Sequence, residues 1–163
     1  MVIVVAGPAG AGKSAVAGEL ARRLGWPMAD GDDFHPPANI ARMRSGEPLS
    51  DDDRLPWLEA IGRWIDRRLS ANRPAIVTCS ALRRHYREIL SDGRSGVWFA
   101  LLDVRPDELE RRVERRRDHF MPVTLVEDQL RVLEPLGPDE PGIVVNADGP
   151  LEGVVEAIIR RLP

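Results

Sequence analysis

Of the 23 lysine and arginine residues in this chain, only Lys13 is a lysine. It sits in Gly7-Pro8-Ala9-Gly10-Ala11-Gly12-Lys13-Ser14, directly after the apolar run Val2-Ile3-Val4-Val5-Ala6. Arginine is a broad planar fork, whereas lysine is a compact charge on a thin stem that reaches between phosphate oxygens. The G-x-x-x-x-G-K-S spacing is that of a phosphate-binding P-loop. Its glycines let successive backbone N–H groups turn inward around a phosphate chain, and the positive end of the following helix adds to the attraction. On this reading Gly7, Pro8, Ala9, Gly10, Ala11 and Gly12 wrap the phosphates. Lys13 spans the β- and γ-phosphates, and the Ser14 hydroxyl coordinates Mg²⁺. A chance glycine-rich turn needs neither a strand before it nor a helix after it. Both are legible here, the helix over Ala15 to Leu24.

The second chemical cluster is Asp30-Gly31-Asp32-Asp33-Phe34-His35. Asp30 and Asp32, two apart at a strand exit, share a face toward the phosphates. One carboxylate could hold Mg²⁺ through water while the other orients an acceptor hydroxyl. A solvated acidic turn is the bland alternative, and the P-loop upstream weakens it. His35, His85 and His119 are too dispersed for a zinc-ligand spacing. Cys79, the only cysteine, closes a buried strand and reads as an inert core thiol. Trp26, Trp57, Trp64 and Trp98 stand alone and read as core or lid-packing residues.

These groups must be positioned by the elements between them. Besides Val2 to Ala6, short apolar runs at Pro27 to Ala29, Ala75 to Thr78, Val97 to Leu102 and Ile143 to Val145 read as buried parallel strands. Helical patterns separate them. Asp51-Asp52-Asp53 opens one that runs to about Leu69, with Leu55, Leu58, Ile61, Trp64, Ile65 and Leu69 near a 3.6-residue period. Arg83 to Leu90, Pro106 to Arg117, Thr124 to Leu133 and Pro150 to Leu162 complete the set, with Pro106 and Pro150 at first-turn positions. Strand–helix alternation defines an α/β fold with a parallel sheet. Two polar stretches, Gly31 to Ser50 and Asp118 to Val123, interrupt the alternation and are the candidate substrate-binding insertion and lid.

A length of 163 residues, with no repeat and no linker, predicts one domain over 1–163. A net charge of −3 gives no basic field for nucleic acid. No apolar run approaches the roughly 20 residues that span a bilayer, and no basic-then-apolar leader opens the chain. With a single cysteine, a soluble protein of the reducing cytoplasm is expected.

Asp30 to Pro36, Asn39-Ile40, Gly46-Glu47-Pro48-Leu49 and Asp51 to Leu58 resemble the gluconate kinases, and Cys79 to Arg87, His119-Phe120 and Leu151 to Val155 continue the likeness over nearly the whole chain. The resemblance implies ATP-dependent phosphorylation of D-gluconate at its 6-hydroxyl, with ATP and Mg²⁺ as cofactors and gluconate as the small-molecule partner. No nucleic acid and no membrane enter, and a homodimer is left open. It implies the three-layer P-loop kinase fold shared with shikimate and adenylate kinases. That fold is a five-stranded parallel sheet of order 2-3-1-4-5 between helices, with a substrate insertion over about 31–50 and a lid over about 117–124. Carried over by position, Ser14 and Asp30 would serve the metal, Asp30 partly through water. Asp32 would contact the sugar acid, with acceptance of the hydroxyl proton as a further role, and His35 would join it. Arg54 is the first choice for the gluconate carboxylate, because a fork suits a planar anion, and Arg42 is the second. A simple helix-face pair with Asp51 competes for Arg54. Arg112 would stack on adenine and Arg116 would neutralise the transferring phosphoryl group. A solvated helix face competes for both.

The chain departs from the family at Arg83, where a lysine is usual, so a role needing an ammonium there is in doubt. Leu101-Leu102-Asp103 imitates a metal-binding strand end, and Asp103 reads as a decoy. A GTPase switch needs an Asn-Lys-x-Asp guanine reader, which a chain with one lysine cannot supply; Asn146-Ala147-Asp148-Gly149 is only an echo. Kinases for shikimate or a nucleoside monophosphate share the fold and are the alternative; the Asp-Asp-Phe-His and Asp-Asp-Asp-Arg-Leu-Pro-Trp segments speak against them. The lone lysine gives a direct test. Lys13→Arg should leave less than about a tenth of the wild-type rate, a loss above ~1.4 kcal/mol, because the guanidinium cannot fill an ammonium's slot. A higher residual rate in a steady-state phosphoryl-transfer assay would sink this account of Lys13.

Overall fold

The computed structural model describes residues 1–115 and 123–163. The five apolar runs form β1 (Val2–Ala6), β2 (Met28–Asp30), β3 (Ala75–Thr78), β4 (Val97–Asp103) and β5 (Gly142–Asn146). All pair in parallel, in the order β2-β3-β1-β4-β5 that the resemblance implied. The central strand β1 is buried along its whole length. Its alternate side chains serve two cores, because successive residues of a strand point to opposite faces. Ile3 and Val5 pack with α1 (Lys13–Leu24) and α7 (Leu151–Arg161), through Val16, Leu20, Val155 and Ile158. Val2, Val4 and Ala6 pack with α3 (Asp51–Ser70) and α4 (Arg84–Ser91), through Leu58, Ile61, Ile65 and Leu90. Two further helices, α5 (Pro106–Arg115) and α6 (Val123–Val132), flank the region expected to form the lid. That segment, with Arg116 and His119, falls almost wholly outside the described residues.

Several boundaries differ from expectation, each for a physical reason. β2 runs one residue later than expected, since Pro27 has no N–H to give a ladder and only its carbonyl pairs, with the Ile76 N–H at 3.0 Å. Asp30 thereby becomes the last residue of the strand. Leu55, placed by the period on the buried face of α3, is exposed, and Trp57 takes the buried position. Ser50 and Asp53 start α3 with a reciprocal cap: the Ser50 hydroxyl accepts the Asp53 N–H at 3.1 Å and the Asp53 carboxylate accepts the Ser50 N–H at 2.9 Å. Arg83 lies just outside α4, with an extended backbone. Within 31–50, read as irregular, lie a 3₁₀ turn (Gly31–Phe34) and a helix, α2 (Pro37–Arg44). The one fully buried residue of α2 is polar, Asn39, so no apolar period announces the helix.

Arg87 gives the α4 side its main long-range tie. Its side chain is wholly buried, and its Nε and Nη2 reach the two carboxylate oxygens of Glu140 at 2.7 and 3.1 Å. Nη1 donates to the carbonyls of Ala81 and Leu82, and Nη2 to that of Pro135. One guanidinium thus joins α4, the segment leaving β3 and the approach to β5. Removing one partner of such a pair leaves an uncompensated buried charge. Arg87→Ala should therefore cost about 3–5 kcal/mol in urea unfolding, whereas Arg87→Met with Glu140→Leu should recover most of the loss. A single-variant loss below about 1 kcal/mol would show that the pair is not stabilising the native state.

Candidate active site

The strand C-termini open into a cleft of about 520 Å³. At one end lies the P-loop. Gly7, Gly10 and Gly12 have φ of 142°, 81° and 93°, values that side chains other than glycine rarely adopt. A Cβ at Gly10 would also meet the Val113 side chain at 3.0 Å, so α5 packs directly on the loop. Gly12 precedes α1, which places Lys13 and Ser14 in its first turn. The Lys13 ammonium donates to the Pro8 carbonyl at 3.0 Å, curling the stem back over the loop. The Gln129 side-chain oxygen, from α6, accepts the Ala9 N–H at 2.8 Å, so α6 touches the phosphate loop itself.

At the centre, Asp30 ends β2. Its Oδ1 accepts the Asp32 N–H at 2.9 Å and the Thr78 hydroxyl at 3.2 Å. That leaves Oδ2 for the cleft. Gly31 is pressed on the end of β3: its N–H reaches Thr78 Oγ1 at 3.1 Å, and a Cβ there would sit 1.9 Å from the Thr78 carbonyl oxygen. The Gly31 carbonyl accepts the Trp57 indole N–H at 2.7 Å. His35 stacks on Trp57 at 4.2 Å with 13° between the rings. Burial, and secondarily the Arg54 charge, push the His35 imidazole down to about 4 from its ordinary 6.5.

At the far end stands Arg54. It donates to the Leu49 carbonyl at 2.5 Å and to the Tyr86 hydroxyl at 3.3 Å, and its guanidinium lies 5.5 Å from the Tyr86 ring centre. Asp51 is 3.9 Å away, so the helix-face pair exists but is the looser contact. Tyr86 in turn donates to Asp51 at 2.5 Å, a bond that holds the Asp51 carboxyl below its ordinary range.

The cleft thus brings together Lys13, Ser14, Asp30, Asp32, His35 and Arg54. Ala9, Gly10 and Gly12 line it as well, while Gly7, Pro8 and Ala11 form the back of the loop. Arg42 is not on the wall; it is half-exposed and pairs with Asp53 at 3.3 Å. Arg112 is also off the wall. It crosses the P-loop, reaching the Gly10 and Ala11 carbonyls at 3.4 Å, the Ala147 carbonyl at 2.8 Å and Glu108 at 3.0 Å. Arg116 lies outside the described residues. Asp103 does not line the cleft, and its carbonyl accepts the Ala147 N–H. Cys79 does line the cleft, but burial above all pushes its thiol up to about 12, so it is no nucleophile. Sequence reasoning missed Thr78, Asn39, Tyr86 and Gln129 as parts of the site. Asn39 and Tyr86 stood inside the family-like segments; Thr78 and Gln129 carried no signal.

A parallel sheet of this order, with a P-loop at the end of its central strand and an acidic turn beside it, defines a small P-loop kinase. Residues 2–136 match the family model described as an AAA domain. A gluconokinase of Gluconobacter oxydans is 44% identical over 98% of this chain and 89% of its own length. Among solved structures, a sugar kinase of a Janibacter species superposes with a TM-score of 0.92 at 42% identity, covering 98% of this chain and 92% of that one. A gluconokinase of Sinorhizobium meliloti superposes with a TM-score of 0.85 at 41% identity, covering 97% and 89%. The chain belongs to the gluconokinase family.

The depressed His35 makes a prediction about stability. A group that binds its proton less tightly when folded contributes stability that is whole above its ordinary pKa and is lost as pH falls through the folded value. For His35 that window runs from 6.5 down to about 4. Between about pH 7 and pH 5 the urea midpoint should fall less in His35→Gln than in wild type. Parallel slopes in the two proteins would contradict the assignment.

Proposed function

We propose that this chain transfers the γ-phosphoryl group of ATP to the 6-hydroxyl of D-gluconate, giving 6-phosphogluconate and ADP. The observation that carries the reading is the polarity of one cleft: a phosphate loop with a lysine at one end, paired carboxylates in the middle, and an arginine braced for an anion at the other. Family membership supplies the prior for the acceptor; the arrangement suits a polyol bearing a carboxylate.

The donor phosphates lie along the Gly7–Ser14 loop, where backbone N–H groups and the first turn of α1 meet negative charge. Lys13 leaves its internal bond to Pro8 for the β- and γ-oxygens, so its charge meets the charge that builds on the transferring group. Ser14 and Asp30 fit a magnesium ion. Both present oxygen, and the Asp30 carboxylate is oriented by Thr78 and the Asp32 amide with one oxygen remaining. The ion supplies neutralisation of the phosphate oxygens when bound. Asp32 orients the acceptor hydroxyl and stands ready for its proton. Arg54 binds the carboxylate as a fork, its orientation set in advance by Leu49 and Tyr86. Arg112 would face the adenine from beside the loop, and Arg116 would complete charge neutralisation as a lid over about 117–124 closes and excludes water. A cytoplasmic setting is the natural one for an ATP-consuming enzyme whose one thiol is buried.

A panel of sugar acids, shikimate and nucleoside monophosphates, each mixed with ATP and Mg²⁺ and followed by ADP release, tests the reading. Gluconate should be the best acceptor, and Arg54→Ala should raise its KM by about tenfold or more while ATP affinity stays within about twofold. Preference for another acceptor would overturn the assignment. An unchanged gluconate KM in Arg54→Ala would remove Arg54 from the carboxylate.

A further inference from the structure

Asn39 and His35 are both buried, at 4% and 8% exposure, behind the acceptor half of the cleft. The Asn39 Nδ2 lies 2.8 Å from the backbone oxygen of Asp53 and 3.2 Å from His35 Nδ1. A carbonyl oxygen only accepts, so the Asn39 atom that faces Asp53 must be the NH₂ group and not the amide oxygen. One of its hydrogens goes to Asp53 and the other points at His35. Nδ1 must therefore offer a lone pair, because a proton there would oppose the Asn39 hydrogen. The imidazole is neutral and carries its proton on Nε2. The ring plane is fixed as well, by stacking on Trp57, whose own indole N–H is held by Gly31.

The surroundings agree with a neutral ring. From α3, Arg54 opposes a second positive charge. The Asp53 carboxylate is turned away, toward the Ser50 N–H and Arg42. From α4, Tyr86 presents a hydroxyl committed to Asp51. From the 3₁₀ turn, Asp32 meets His35 through its backbone carbonyl, at 3.2 Å from the His35 N–H.

We propose that Asn39 is a positioning residue that locks His35 as a neutral Nε2–H donor in the acceptor cleft, where it selects a hydroxyl or carboxylate oxygen of the sugar acid. The ligand in this statement rests on the gluconate reading; the tautomer does not. One consequence concerns the mechanism. A ring whose only lone pair is turned toward Asn39 cannot accept the acceptor's proton, so that role falls to Asp32 and not to His35. A second concerns pH: the ring stays neutral throughout the neutral range, which an ordinary histidine would not guarantee.

The test begins with the unliganded wild-type protein labelled with ¹⁵N-histidine. Long-range ¹H–¹⁵N correlation should show His35 Nδ1 unprotonated and Nε2 protonated, unchanged from about pH 8 to about pH 5.5. A protonated Nδ1 overturns the proposal. In Asn39→Asp a carboxylate would accept from Nδ1, drawing the proton off Nε2 and raising the pKa of the ring. At neutral pH the gluconate KM should then rise about tenfold or more with the ATP KM within about twofold. The loss should shrink on acidification, as the imidazolium regains its Nε2–H. A gluconate KM equal to wild type overturns the proposal. Should that variant not fold, His35→Gln, whose amide nitrogen reaches the Nε2 position, should bind gluconate at least about tenfold better than His35→Asn, which reaches only the Nδ1 position. Equal values overturn it too. If wild type does not phosphorylate gluconate at all, the functional reading fails, and the spectra still decide the tautomer.

Discussion

The acceptor half of the cleft depends on the contact between Gly31 and Thr78. The backbone leaving β2 crosses the end of β3 so closely that there is no space for a side chain at residue 31. That approach lets one threonine hydroxyl bond both the Gly31 N–H and the Asp30 carboxylate. It also turns the Gly31 carbonyl toward Trp57, which fixes the indole and thereby the ring of His35. Asp30, Asp32 and His35 are thus held by the sheet itself, although two of the three lie past the end of the strand. Positions this well determined cost little to organise when a substrate arrives, which is the condition for orientation to contribute to rate.

Much of this was legible in the chain and some was not, and the division has physical causes. Buried parallel strands are continuous apolar runs, and helices with an apolar face show a 3.6-residue period, so the strands and the main helices could be inferred, while the sheet order came from the family resemblance. The P-loop was legible because glycines at fixed spacing before a lysine answer to a single backbone geometry. Helix α2 gave no such signal, for it buries an asparagine and leaves its remaining residues partly or fully exposed. Asn39 acts through two hydrogen bonds to partners 4 and 14 residues away, a relation that no period encodes. Gln129 meets Ala9 across 120 residues, and Arg87 meets Glu140 across 53. Contacts of that kind follow from the fold and cannot precede it. Arg54 shows a middle case: its residue type suggested an anion, while its brace by Leu49 and Tyr86 appears only once α3 and α4 are packed together.

The distribution of cations follows from the same geometry. Three arginines that are buried or half-buried here each bind several groups at once. Arg87 joins a carboxylate and three carbonyls, Arg112 joins the P-loop to the segment after β5, and Arg94 joins Asp66 to the carbonyls of Ile89 and Leu90. A planar fork with five donors is suited to such fixed, many-partner work. An ammonium has three donors and a flexible stem, which makes it a poorer staple and a better mobile charge. Lys13 donates to the Pro8 carbonyl of the loop at 3.0 Å, a bond of the kind that a phosphate oxygen can replace. An arginine anchored like Arg87 would have to break a buried network before it could turn to a substrate. The chain thus uses forks where charges are fixed by several partners, and under the proposed phosphoryl transfer its one ammonium stands where a charge would have to move.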